Sequence, residues 1–173
     1  MTLETNTKTK HTIEALGVDI GGVVMDRIND HTDTSFFSDR YLETTATPGV
    51  IEALARLVAE RFGTSVHLVS KCGPNTERKT REWLAHHDVY KCTGIPEDNL
   101  HFCRRRREKA PIAKALVLTH FVDDRLEILG SLKTVPNRFL FKPVEAEVTR
   151  YKRHLGMVIR VESWAEIVAL LLG

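Results

Sequence analysis

Cysteine is scarce. The three thiols in 173 residues, Cys72, Cys92 and Cys103, are odd in number and lack C-x-x-C spacing, which excludes a disulfide scaffold and a zinc ribbon and points to reduced thiols of a cytoplasmic protein. No apolar run approaches the ~18 residues that a helix needs to cross a bilayer, so no membrane partner is expected. Aromatic residues make up only 7%, and none interleaves the basic run Arg104-Arg105-Arg106-Arg107 as it would in a groove that stacks single-stranded bases. With a formal net charge of just +2, nucleic acid is not expected as a partner. Residues 1–12 hold almost no apolar side chains, so they lack the core of a signal peptide and read as a disordered tail.

What remains is regular. Short apolar runs near 15–18, 66–69, 100–102, 119–122, 138–141 and 158–161 alternate with helical patterns, which predicts an α/β fold: a three-layer α/β/α sandwich on a mainly parallel, Rossmann-like sheet. The length suits one domain, over 13–173. Thr47-Pro48 reads as a helix start, with Val50, Leu54, Leu57 and Val58 on one face until Gly63. Helices are further expected over about 75–87, 111–116, 125–132 and 143–154, and Ser163-Trp164-Ala165-Glu166 has capping-box spacing for a final one. Residues 25–46 break the alternation: polar, rich in Asp and Thr, they read as a long loop or small flap after the first strand.

The chemistry sits where the strands stop. Val18-Asp19-Ile20-Gly21-Gly22 ends the first apolar run at a lone carboxylate and a glycine turn, the second run ends at Ser70-Lys71, and the fourth ends at Asp123-Asp124. Ligands of an open parallel sheet bind outside the carboxyl ends of its strands, so these residues are expected to share one site. Clustered carboxylates repel unless a cation joins them, which adds a metal to that expectation. A turn-stabilising Asp19 and an ordinary strand exit at Ser70-Lys71 are the plain alternatives.

In this order the residues resemble the haloacid dehalogenase superfamily, whose members are mostly Mg²⁺-dependent phosphatases with an aspartate nucleophile. Asp19-Ile20-Gly21-Gly22-Val23 is similar to the first motif, Ser70 to the second and Asp123-Asp124 to the fourth; the third-motif lysine is Lys109, preferred to Lys114 by position. The resemblance implies that Asp19 attacks phosphorus, that Ser70, Lys71 and Lys109 bind the phosphoryl group, and that Mg²⁺ is held by Asp19, the Gly21 carbonyl and one or both of Asp123 and Asp124. It further implies a phosphorylated small molecule or nucleotide as substrate. The short insertion at 25–46 implies an open site, completed by a large substrate or by a second subunit of a homo-oligomer. Arg104-Arg105-Arg106-Arg107 reads either as a phosphate-attracting rim or as a solvated basic loop.

One position departs from the pattern. Gly21 stands where most phosphatases of the family carry a second aspartate as general acid and base, a role worth roughly 10² to 10⁴ in rate. Three readings follow: a phosphatase in which water or another group handles the proton, a reaction that needs no acid there, or a non-catalytic module that binds a phospho-ligand.

Overall fold

The computed structural model describes residues 13–27, 36 and 38–173. The tail expected at 1–12, together with residues 28–35 and 37 of the expected flap, lies outside the described residues. Six strands are present among the described residues: β1 (Leu16–Val18), β2 (Val66–Lys71), β3 (Leu100–Cys103), β4 (His120–Asp123), β5 (Asn137–Phe141) and β6 (Ile159–Val161). They form one sheet in the order β3-β2-β1-β4-β5-β6, and every neighbouring pair is parallel. All six apolar runs of the sequence are therefore strands, and the expected α/β sandwich on a parallel sheet is what forms.

Both faces of the sheet are covered, which is why its strands read as nearly continuous apolar runs. On one face Leu16, Val18, Leu68, Val122 and Phe141 pack with α1 (Val50–Leu57), α2 (Pro74–His86), α3 (Val89–Thr93) and α7 (Trp164–Leu172). On the other, Val69, Phe121 and Leu140 pack with α4 (Lys109–Ala115), α5 (Leu126–Ser131) and α6 (Glu145–Arg150). The strand order reverses between β1 and β4. That reversal opens a crevice beyond their carboxyl ends, the usual ligand position in such sheets.

The helices differ from expectation at four places. Thr47 does not cap α1: its hydroxyl is buried and accepts no helix N–H, and Gly49, with φ 75°, takes the cap position instead. Past Leu57 the helix widens into a π turn over Val58–Phe62 and stops at Gly63, which has φ 53°. The helix expected over 143–154 divides into α6 and a 3₁₀ stretch, Lys152–Met157. At α7 the Ser163 hydroxyl accepts from the Glu166 N–H as expected, but the Glu166 carboxylate reaches the Glu162 N–H rather than that of Ser163.

Candidate active site

Asp19 follows the central strand directly, and its N–H is donated to the Val122 carbonyl of β4 at 2.9 Å. Gly17 lets these two strands approach, since a Cβ there would lie 2.5 Å from the Phe121 ring. Beyond Asp19 the chain folds back at once: the N–H groups of Val23, Val24 and Met25 all converge on the Ile20 carbonyl, at 3.3, 2.9 and 2.9 Å. The two glycines inside this turn differ. Gly22 has φ 77°, and a Cβ on it would meet the Asp124 carboxylate at 2.7 Å, so backbone and neighbour both exclude a side chain. Gly21 has no such φ, and a Cβ there meets nothing within 4 Å.

Lys109, the first residue of α4, lies beneath Asp19. Its side chain is 1% exposed, and its Nζ donates to Asp19 Oδ1 at 2.6 Å and to Asp123 Oδ2 at 2.8 Å. Asp123 is fully buried, and its other oxygen accepts the Arg125 N–H at 3.0 Å. Asp124 turns toward the solvent side, where Arg27 reaches it at 3.0 Å while also donating to the Lys142 carbonyl at 2.9 Å.

Two contacting cations, Lys109 and Arg27, face three carboxylates. Burial pushes the Asp19 carboxyl up to about 6 against the pull of Lys109, and Asp123 adds repulsion in the same direction. Asp123 and Asp124 are likewise raised, burial being the chief cause in both. Burial alone would lower the Lys109 ammonium, but Asp123 and Asp19 outweigh it and hold the group protonated well above its usual range. Asp19, Asp123 and Asp124 each offer an oxygen within 4.8 Å of the other two. This is a hard, oxygen-rich donor set with an unmet need for positive charge, and it fits a divalent cation.

Over this core opens a cavity of about 740 Å³, lined by Asp19, Gly21, Ser70, Lys71, Lys109 and Asp124 among others. Six of the seven residues singled out from the sequence thus share one wall, and Asp123 backs it through Lys109. Ser70 is buried at the end of β2, and Lys71 beside it is exposed. Lys114, the competitor of Lys109, is exposed on α4. Of the four consecutive arginines only Arg106 lines the cavity, paired with Glu127 at 3.2 Å. Arg104 is held by Glu77 at 2.7 Å and by the Cys72 carbonyl at 2.8 Å, away from the cavity.

Several cavity residues escaped the sequence reading. Arg27 sits in polar sequence with no periodicity to mark it. Arg125 adjoins the acidic pair, and that adjacency was a usable signal. Arg150 and Tyr151 end α6, where they look like any solvated helix terminus.

A parallel α/β sandwich with an acidic, lysine-bridged site at its strand reversal defines the class. No protein-family model matches the chain, and no curated protein sequence matches it. Among solved structures it is similar to a haloacid dehalogenase-like family hydrolase from Xanthomonas campestris, at 11% identity and a TM-score of 0.58, covering 92% of this chain and 95% of that one. It is also similar to the cobalt-bound form of the deoxy-D-mannose-octulosonate 8-phosphate phosphatase from Haemophilus influenzae, at 19% identity and a TM-score of 0.52, covering 92% and 87%. The fold is the haloacid dehalogenase-like one, as the resemblance of the motifs implies.

Proposed function

We propose that the chain is a metal-dependent phosphohydrolase that works through an aspartyl-phosphate on Asp19. The observation that carries this reading is the buried Lys109 ammonium bonded to both Asp19 and Asp123 at the cavity floor. Lys109 occupies Asp19 Oδ1 and so orients the carboxylate, leaving Oδ2 to attack phosphorus. The P–O ester bond breaks as the acyl-phosphate forms, and the leaving oxygen takes its proton from water because Gly21 supplies no carboxyl. A second water then cleaves the acyl-phosphate, releasing orthophosphate and restoring Asp19. Ser70 and Lys71 bind the phosphoryl oxygens from the β2 side, with the hydroxyl donating and the ammonium neutralising.

Asp19, Asp123 and Asp124, with the Gly21 carbonyl, are the groups that would hold Mg²⁺, whose charge neutralises the transferring phosphoryl group. The neighbouring phosphatase whose structure contains cobalt supports a divalent ion in this fold. Cys72, Cys92 and Cys103 are all free thiols, in keeping with a cytoplasmic setting. The test is a Mg²⁺-supplemented screen of phosphorylated metabolites, nucleotides and aryl phosphates, with an Asp19→Asn control. Release of orthophosphate by the wild type and not by the variant supports the reading. The second reading, a phospho-ligand-binding module without turnover, is favoured by the side-chain-free position 21; binding of phosphate esters with no hydrolysis in the same screen would select it.

A further inference from the structure

The three carboxylates of the core are not held alike. Asp19 is fixed through Oδ1 by Lys109, and Asp123 through both of its oxygens, by Lys109 and by the Arg125 N–H. Asp124 has a single hydrogen-bond donor among the described residues, Arg27, whose Nη2 reaches Oδ2 at 3.0 Å while Oδ1 accepts none. A Cβ on Gly22 would lie 2.7 Å from that same Oδ2 and 3.8 Å from Arg27 Nε, so carboxylate and guanidinium meet directly over the bare Gly22 backbone.

Arg27 does not depend on Asp124 for its own place. Its Nη2 also donates to the Lys142 carbonyl at 2.9 Å. Lys142 has φ 38°, uncommon for a residue with a side chain, and its N–H is donated to the Val161 carbonyl at 3.0 Å. The chain leading into Arg27 is pinned too, by the Met25 N–H on the Ile20 carbonyl and the Asp26 N–H on the Thr45 carbonyl, each at 2.9 Å. The rim pair Arg106–Glu127 has no such backbone anchor, and its carboxylate is 34% exposed, against 14% for Asp124.

We propose that Arg27 is a positioning residue of the metal site: it holds Asp124 by Oδ2 and leaves Oδ1 to a divalent cation, as Lys109 holds Asp19 by one oxygen and leaves the other. This inference rests on the metal site of the phosphohydrolase reading and adds the residue that sets its affinity. Two effects of the guanidinium oppose each other. Its charge repels a bound cation, but the side chain is 42% exposed and solvent screens that repulsion. Orientation of a ligand by its hydrogen-bond partner is worth about 10- to 100-fold in metal affinity, and this larger effect decides the sign. Removal of Arg27 therefore weakens metal binding, whereas a guanidinium that merely stood in for the absent cation would, once removed, let the metal bind more tightly.

The experiment is a calorimetric titration with Mg²⁺ of the wild type, Arg27→Met, Arg27→Lys, Asp124→Asn and the Arg27→Met/Asp124→Asn double variant, with no substrate present. Methionine keeps an unbranched stem over Gly22 and removes charge and donors together. Kd for Mg²⁺ is expected to rise about tenfold or more in Arg27→Met, in protein whose metal-free unfolding midpoint is that of the wild type. Arg27→Lys should recover most of the affinity, since an ammonium can donate to both Asp124 and the Lys142 carbonyl. In the Asp124→Asn background the methionine change should add nothing, because Arg27 acts through that carboxylate. An unchanged or lower Kd in Arg27→Met, or an equal loss in the Asp124→Asn background, overturns the positioning role. The expected pattern in a protein that hydrolyses no phosphate ester would keep that role and refute the phosphohydrolase instead, and a wild type that binds no Mg²⁺ would refute both.

Discussion

The floor of the cavity and its rim are built from the same residue types and behave oppositely. On the floor Lys109, Asp19 and Asp123 are buried, mutually bonded and packed against β1 and β4, so that each charge depends on the others. At the rim Arg106 and Glu127 form a pair that water reaches, and Arg105 and Arg107 are exposed. Charges of the first kind cannot be removed singly, since the survivors stay desolvated. Those of the second kind are screened and contribute little to stability. The floor therefore governs whether the site forms, and the rim what it admits.

The severest test of this contrast is Lys109→Ala. It strands two buried carboxylates and is expected to cost about 3–5 kcal/mol in urea unfolding without divalent metal, with part of the loss restored by added Mg²⁺. A cost under about 1 kcal/mol would put the floor in the same class as the rim. Next come the adjacent glycines. Gly22→Ala should cost about 1–3 kcal/mol, because it combines a left-handed backbone with a clash at Asp124. Gly21→Asp should stay within about 0.5 kcal/mol and raise turnover of alkyl phosphates more than that of aryl ones, whose leaving groups need no proton. Equal destabilisation by the two changes would show that the turn, rather than its contact with Asp124, sets the constraint.

A smaller effect is expected with pH. The folded protein holds Asp19 up to about 6, above the ordinary 3.8, because of burial. The native state therefore binds more protons than the unfolded chain between these values, and the Asp19 contribution to stability falls as pH rises through about 4 to 6. Unfolding midpoints of metal-free wild type and Asp19→Asn should diverge across that window, and a constant difference would contradict the burial argument. The least effect belongs to the rim: Arg106→Gln should change stability by under about 1 kcal/mol.

The sheet was legible in the sequence because short apolar runs recur between helical patterns, as strands covered on both faces require. The site was legible for the same reason: Asp19, Ser70 and Asp123 interrupt apolar runs, and such interruptions are costly to bury without a task. Lys109 needed the resemblance, since a lysine opening a helix has no local pattern that separates it from Lys114. Arg150 was opaque because it ends α6, where nothing in the local pattern separates it from any solvated helix terminus. The start of α1 was misread because Thr-Pro marks a helix start by residue type alone, whereas here the chain turns once more and Gly49, with φ 75°, takes the cap position.

The Trp164 indole N–H is donated to the Val23 carbonyl at 3.0 Å, and its ring lies 5.9 Å from that of Phe141. The turn after Asp19 is thereby braced by a side chain that a ribosome adds some 140 residues later. A nascent chain that has released β1 to β4 can pair its strands, but it lacks this brace. Bracing of the turn that carries Asp19 is consequently a late event in synthesis, and the order of translation itself delays it until α7 has emerged.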